Sequence, residues 1–109
     1  MNIDCFMKRY ADVLMNSEND HVFETIKMLT GGTTSPRIAK LLNFAVSQMD
    51  LKEAYVEVGV FTGATLISAA YSNRKTCIGI DKYDPEELKN MKCDPVDVRD
   101  RCLHNIKQT

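Results

Sequence analysis

The sequence predicts an α/β fold built on two parallel strands that are joined by a helix. Two β-branched segments, residues 54–58 and 76–80, flank a segment of helical character at residues 63–72. Two glycines, Gly59 and Gly63, stand where the first strand would turn into this helix. A strand, a helix and a second strand in this order form a right-handed parallel crossover. We therefore expect helices to pack around a small parallel sheet.

Helices are predicted before the sheet. Residues 3–15 and 20–29 have helical patterns, and the second ends at the pair Gly31-Gly32, where a glycine can take the left-handed conformation that commonly ends a helix. The next helix has the clearest signals, because Ser35 can cap it and Pro36 suits its first position. Helical spacing predicts that it packs through one apolar face, formed by Ile38, Leu41, Leu42, Ala45, Val46 and Met49.

Two more helices are predicted after the second strand. Asp84 and Asp94 can cap them, and Pro85 and Pro95 suit their first positions. The last helix repeats apolar residues at every fourth position, at Val98, Cys102 and Ile106. These residues are expected to face the core.

The composition limits the classes of function. The chain has 109 residues, of which 44% are hydrophobic and 27% charged, which fits one globular domain. Its formal net charge is −1 and both signs are spread along it, so we expect no nucleic-acid partner. No signal-peptide core and no stretch long enough to span a membrane is found in the sequence. We expect a cytoplasmic protein that binds a small molecule and no membrane.

The four cysteines predict neither disulfides nor a metal site. They form no CxxC pair, and their irregular spacing suits reduced thiols. Cys93, Cys102 and His104 match no standard zinc spacing, and a helix would place Cys102 and His104 on different faces. We therefore expect Cys102 in the core and His104 on the surface.

The ends of both strands carry residues suited to a ligand. Open parallel sheets bind ligands beyond the carboxyl ends of their strands, which is where Gly59 and Asp81 lie. Gly59 would let the main chain approach a ligand, and Gly63 would leave the helix N–H groups accessible. Asp81 follows Gly63 by 18 residues, a spacing that suits a carboxylate binding the two hydroxyls of a ribose. Lys82 and Tyr83 follow closely enough to border an adenine pocket.

The type of nucleoside follows from what surrounds the turn. The glycines have the spacing GxxxG, and neither GxGxxG nor GxxxxGK[ST] occurs, which disfavours pyrophosphate. Glu57, predicted to be buried in the first strand, would repel a phosphate but suits an ammonium or a sulfonium group. S-adenosylmethionine carries both of these charges and a ribose. Simpler interpretations stay open: Glu57 facing solvent, ordinary turn glycines, and Asp81 as a turn former.

Two motifs resemble those of a known enzyme family. The segment E-V-G-V-F-T-G-A-T at 57–65, followed by I-G-I-D at 78–81, resembles the first two motifs of class I S-adenosylmethionine-dependent methyltransferases. It is most similar to the small-molecule O-methyltransferases of the catechol and macrocin types. The resemblance covers roughly residues 30–109. It implies a Rossmann-like fold, an S-adenosylmethionine cofactor and a small-molecule acceptor with an oxygen nucleophile, with Mg²⁺ in some intact relatives.

The resemblance implies six cofactor-binding residues, Glu57, Gly59, Phe61, Gly63, Thr65 and Asp81. Glu57 would lie near the methionine end of the cofactor, and Gly59 and Phe61 would line it. Thr65 would take the place of a serine that hydrogen-bonds the methionine carboxylate. Asp81 would bind the ribose. The family's general base and acceptor pocket have no counterpart in this sequence.

The length of the chain sets the expected domain organisation. A full methyltransferase domain has roughly two hundred residues, so we expect 33–109 to be the first half of a Rossmann-like domain, preceded by amino-terminal helices at 1–32. Such a truncated sheet would have open edges, and a homo-oligomer is one possible assembly. Two other functions stay open: half of an NAD-type nucleotide-binding enzyme, or a non-catalytic module that binds a partner through its sheet edges.

Overall fold

Six helices and one two-stranded parallel sheet form residues 2–108, the part of the chain that the computed structural model describes. The mixed α/β class and the parallel pairing predicted from the sequence are confirmed. In chain order the elements are α1 (Ile3–Met15), α2 (Asp20–Thr30), α3 (Pro36–Ser47), β1 (Ala54–Val58), α4 (Ala64–Ala70), β2 (Thr76–Ile80), α5 (Pro85–Asn90) and α6 (Pro95–Lys107).

The predicted helix caps are present. The Ser35 hydroxyl accepts a hydrogen bond from the N–H of Ile38 at the start of α3. Asp84 and Asp94 each accept two backbone N–H groups at the starts of α5 and α6. Gly31 ends α2 in the left-handed conformation, with φ 71°. Short-range chemistry therefore fixes where these helices begin and end.

Helix α4 is shorter than the sequence predicts. The expected helix spans residues 63–72, whereas α4 begins at Ala64 and ends at Ala70. At its start, Gly63 has φ 93°, which lies outside the helical region. At its end, Tyr71 has ψ 125° and leaves the helical path. Residue preferences alone do not reveal either change of backbone direction.

The sheet is covered on one face. Tyr55 of β1 and Cys77 of β2 pack against a buried cluster formed by Val60, Leu66 and Cys102, from the glycine turn, α4 and α6. On the opposite face, four β-branched side chains stay 43–79% exposed: Val56, Val58, Ile78 and Ile80. Both strands thus alternate between a packed face and an open one.

The buried face of α3 differs from the predicted one. Val46 is fully buried, but Ile38 is 48% exposed. Lys40 is buried instead, which an apolar pattern does not predict. Its Nζ lies 2.7 Å from a carboxylate oxygen of Asp20 and also donates to two backbone carbonyls where α1 ends. These partners compensate for the cost of removing the ammonium group from water.

Helices α2, α3 and α4 form the second core. Phe23 and Ile26 of α2 pack with Ala39 of α3 and Ile67 of α4. Helix α1 has no buried residue and attaches to α3 through its aromatic side chains, with 5.0 Å between the ring centroids of Phe6 and Phe44. The amino-terminal helices therefore pack onto the layer that covers the sheet.

Helix α6 follows its predicted face in part. Val98 and Cys102 are buried as predicted, but Ile106 is 41% exposed, so its predicted burial is wrong. Asn105 takes the inward position and donates its side-chain N–H to the carbonyl of Thr62, at 2.9 Å. His104 is exposed, as predicted. Among the described residues, no helix has the length and apolar character needed to cross a membrane.

Candidate functional site

A cleft of about 580 Å³ lies beyond the carboxyl ends of both strands. The turn after β1 contributes Gly59 and Phe61 to it, and the loop after β2 contributes Asp81 and Tyr83. Helix α5 forms the opposite wall with Leu88 and other side chains. This is the edge of a parallel sheet at which ligands commonly bind.

A second cleft of about 320 Å³ lies on the other side of the same turn. Thr33, Gly59 and Phe61 line both clefts. The smaller one is also lined by Thr34 and by residues at the start of α4, among them Thr65. The segment from Gly59 to Thr62 therefore lies between the two clefts, whereas Gly63 is buried and lines neither of them.

The turn needs both of its glycines, for different reasons. Gly59 and Gly63 have φ values of 85° and 93°, a region in which side chains are disfavoured. A Cβ atom on Gly59 would meet no atom within 4 Å. One on Gly63 would lie 3.3 Å from the Sγ of Cys102 and 3.4 Å from Ile67. Gly59 thus leaves open space at the cleft, whereas Gly63 allows close packing against α6.

Asp81 holds the two loops of the site together. Its Oδ2 accepts the N–H of Phe61 at 2.8 Å, and its Oδ1 accepts the N–H of Tyr83 at 2.7 Å. The sequence placed Asp81 at this edge, but these backbone partners could not be predicted. Because each carboxylate oxygen can accept two hydrogen bonds, one acceptor position on each stays available to a ligand.

Tyr83 lines the large cleft and also forms a hydrogen bond to the turn, which the sequence did not predict. Its hydroxyl donates to the carbonyl of Phe61, with 3.2 Å between the oxygens. Burial, followed by the neighbouring Cys102 thiol, raises the pKa of Tyr83 well above its usual range. The phenol is a donor at neutral pH, as in any tyrosine, and the raised pKa keeps it protonated in more alkaline solution as well. Only the folded arrangement brings this hydroxyl to the turn, because 22 residues separate the two partners along the chain.

Glu57 lies below the turn and lines neither cleft. The residue as a whole is half-buried, and its side chain lies beside Tyr55 at the packed face of the sheet. The prediction of a buried carboxylate is therefore confirmed for one oxygen, Oε2, and not for the residue as a whole. The Tyr55 hydroxyl donates to Oε1 at 2.8 Å, while Oε2 is enclosed and has no partner among the described residues. Burial first, and then Glu57, raise the pKa of Tyr55 above its usual range.

Thr62 was not singled out by the sequence. Its side chain is buried and lines the smaller cleft, and its hydroxyl has no hydrogen-bond partner among residues 2–108. Thr65, which the sequence did select, is half-buried at the same cleft. The GxxxG motif is defined by its two glycines. No pattern in the sequence indicates a role for Thr62, the threonine between them.

The comparisons with known proteins add no relative. No family model, curated protein or solved structure matches the chain. Within residues 2–108, no group of three or more His, Cys, Asp or Glu side chains is arranged to hold a metal ion. The fold and the site thus define an α/β chain with a ligand-sized cleft at the ends of two parallel strands.

Proposed function

We propose that the chain is the S-adenosylmethionine-binding portion of a methyltransferase with a Rossmann-like fold, acting on a small molecule through an oxygen. The observation that carries the proposal is the cleft beyond both strands, where the turn from Gly59 to Gly63 faces Asp81. The motifs at 57–65 and 78–81 supply the resemblance to this enzyme class. Residues 33–109 would form the first half of the domain.

The charges at the cleft support a cationic ligand. Asp81, Asp84 and Glu87 line it, against one lysine, Lys82. That lysine is already paired with Asp84, with 3.1 Å between the charged atoms. A cleft with a negative balance favours a sulfonium over a pyrophosphate. This is a reason to prefer S-adenosylmethionine to NAD.

Individual residues would hold the cofactor in distinct ways. The free acceptor positions of Asp81 suit the ribose hydroxyls, and the open space at Gly59 allows the main chain to approach the ligand. Thr65 is a donor for the methionine carboxylate in the smaller cleft. Glu57 lines neither cleft, so it would act on the cofactor through its negative charge and not by direct contact. The bound cofactor supplies the sulfonium methyl group for transfer to an acceptor oxygen held in line with it.

Mg²⁺ belongs to the proposal only for an intact enzyme. A divalent ion would lower the cost of deprotonating the acceptor. The acceptor pocket and the general base would be supplied by parts of the domain that these residues do not contain. The chain itself would bind the cofactor and orient it.

Isothermal titration with S-adenosylhomocysteine and, separately, with NADH tests the proposal. We expect saturable binding of S-adenosylhomocysteine that Asp81→Asn weakens. The matched control is Asp12→Asn on α1, an exposed carboxylate far along the chain from the cleft, which should leave binding unchanged. Binding of NADH alone would favour the NAD-type alternative. If neither ligand bound, the proposal of a nucleoside-binding site would be wrong.

The open sheet favours a second candidate, a non-catalytic module that binds a partner chain. Neither outer edge of the sheet pairs with a third strand among the described residues, and the face with Val56 and Ile78 is exposed. Such edges can accept an extended segment of another protein. A defined complex in sizing chromatography, together with no nucleoside binding, would support this candidate over the first.

A further inference from the structure

Two side chains of the loop after β2 hold the backbone of Phe61 from both sides. The carboxylate of Asp81 accepts its N–H at 2.8 Å, and the hydroxyl of Tyr83 donates to its carbonyl at 3.2 Å. The N–H of Tyr83 in turn donates to Asp81 at 2.7 Å. The three residues therefore form a closed ring of hydrogen bonds between the two loops.

The residues at two corners of this ring have unusual backbone conformations. Phe61 has φ 52° and Tyr83 has φ 47°, both in the left-handed region that non-glycine residues seldom occupy. Such conformations persist where the surrounding structure imposes them, and they cluster at ligand sites. Ser72 and Lys92 are also left-handed, but Phe61 and Tyr83 are the pair joined by the hydrogen bonds of the ring.

We infer that Tyr83 is a positioning residue, whose hydroxyl acts with Asp81 to clamp Phe61 in its left-handed conformation and thereby fixes the shape of the ligand cleft. Phe61 lines both clefts, so a change in its backbone would alter both. The Tyr83 ring packs against the buried cluster of Val60, Leu66 and Cys102, which anchors the hydroxyl to the core. The clamp thus connects the packed interior to the turn.

The clamp is a property of the folded chain without ligand, whereas its effect on affinity rests on the proposed function. A ligand that uses the turn would meet a conformation that is already fixed. Loosening the turn would then reduce affinity, because the bound conformation would be populated for less of the time. The two consequences can be measured separately.

Amide hydrogen exchange of the ligand-free protein tests the clamp. Tyr83→Phe removes only the hydroxyl, and we expect exchange at Phe61 and its neighbours in 59–63 to become roughly two- to tenfold faster, the effect of losing one neutral hydrogen bond. The matched control is Tyr10→Phe. The Tyr10 hydroxyl also donates to a backbone carbonyl, that of Arg37, but between α1 and α3. Equal exchange at 59–63 in both variants would overturn the inference.

A second variant, together with exchange in α3, distinguishes a local effect on the turn from a general loss of stability. Asp81→Asn replaces one acceptor oxygen of the ring by an NH₂ group and should speed exchange at the same amides. Exchange within α3 reports global stability and should change little in either variant. Uniformly faster exchange across α3 and 59–63 would show that Tyr83 contributes to overall stability and has no specific effect on the turn. That result would also overturn the inference.

Titration with S-adenosylhomocysteine then separates the clamp from the proposed function. Faster exchange at 59–63 together with several-fold weaker binding in Tyr83→Phe supports both. If exchange accelerates but the unsubstituted protein binds no S-adenosylhomocysteine, the clamp stands and the methyltransferase proposal fails. If Tyr83→Phe and Tyr10→Phe bind it equally and exchange equally at 59–63, the positioning role of Tyr83 is lost while the cofactor proposal survives.

Discussion

Asp81 illustrates how one side chain can have a structural and a ligand-binding role. Its two oxygens already accept the N–H groups of Phe61 and Tyr83. The interpretation of Asp81 as a turn former is therefore confirmed by its bond to Tyr83, two residues further along. The ribose role stays a prediction, and it depends on the acceptor positions that these bonds leave free. An experiment on Asp81 has to distinguish the two roles.

We predict that Asp81→Ala weakens binding of S-adenosylhomocysteine by about ten- to a hundredfold in a chain extended to a full domain. Hydrogen bonds to a charged group contribute roughly 1.5–3 kcal/mol, and each ~1.4 kcal/mol is a factor of ten. Asp81→Glu should cost less, because a longer carboxylate can still reach a diol. Isothermal titration measures the three affinities.

The control for Asp81 is a ligand without the diol. A 2′,3′-dideoxy analogue should bind the unsubstituted protein poorly and should lose less affinity on Asp81→Ala than S-adenosylhomocysteine does, because only the effect through the turn remains. If the substitution weakened both ligands equally, Asp81 would act through the turn that it holds, and the ribose assignment would be dropped.

A second prediction compares the two glycines of the turn. Alanine at either position has to adopt a left-handed conformation, which costs roughly 1–2 kcal/mol. Gly63→Ala should destabilise the fold more than Gly59→Ala, because its Cβ would lie 3.3 Å from Cys102 while the space at Gly59 is open. Urea unfolding of both variants measures the difference. Equal free energies of unfolding would show that Cys102 moves aside without cost.

A third prediction concerns the effect of Gly63 on cofactor binding. Gly63→Val places a larger side chain where α4, α6 and the turn converge. We expect it to weaken S-adenosylhomocysteine binding, and unchanged affinity would remove Gly63 from the site. Because substitutions at Gly63 also destabilise the fold, circular dichroism has to show that the variant is folded before its affinity is compared.

At the scale of elements, polar side chains connect the turn to the helices around it. Asn105 of α6 donates to the carbonyl of Thr62, and both residues are buried. On the other side of α4, the amide of Asn43 donates to the carbonyls of Ser68 and Tyr71 and so connects α3 to the end of that helix. Helix α4 is thus held by neighbours at both ends, which explains why only seven residues form a stable helix here.

We predict that the start of α5 frays in acid through Asp84. The Lys82 ammonium, and then the N–H groups of Glu86 and Glu87, hold the pKa of Asp84 below its usual range. A lowered pKa in the folded state means that the cap stabilises α5 above the unfolded value of ~3.9 and that this contribution is lost as pH falls through the folded pKa. Backbone NMR shifts of 85–90 should follow this titration.

Asp84→Asn is the matched control for the acid effect. Asparagine also caps helices but does not titrate in this range. Glu86 and Glu87 are the same in both proteins, so the comparison isolates the carboxylate of Asp84. The same acid-induced shifts in the variant would assign the fraying to these glutamates instead of the cap.

At the scale of the whole molecule, the buried cluster that covers the sheet packs against one face, that of Tyr55 and Cys77. The exposed side chains of Val56, Val58, Ile78 and Ile80 form an apolar surface across both strands, because Val56 lies opposite Ile78 and Val58 opposite Ile80 in the register. Parallel strands are normally covered on both faces. Apolar sheet faces with open edges promote association.

We therefore predict that the chain alone self-associates or is partly molten. Val58→Thr combined with Ile80→Thr should reduce association, because both side chains are exposed and threonine keeps the β-branch that suits a strand. Light scattering and sizing chromatography measure the change. The control is Val46→Thr, which makes the same change at a fully buried position and should destabilise the protein without reducing association. A sharp two-state thermal transition from an unsubstituted monomer would contradict the prediction.

The sequence by itself determined the elements whose signals are local. The bounds of α1, β1 and β2, the caps at Ser35, Asp84 and Asp94, and the left-handed Gly31 follow from side chains that act within a few residues. It also determined that Gly59 and Asp81 lie at the same edge of the sheet, because parallel strands bring their carboxyl ends together.

Only the tertiary structure decided which side chains meet at long range. The burial of Lys40, the position of Glu57 beside Tyr55, and the hydroxyl of Tyr83 on Phe61 each depend on the packing of elements. A periodic pattern records which face of an element is apolar, but it holds no information on the polar groups that a neighbour presents to that face. Lys40 is buried because backbone carbonyls and a carboxylate happen to converge there, and such convergence exists only after folding.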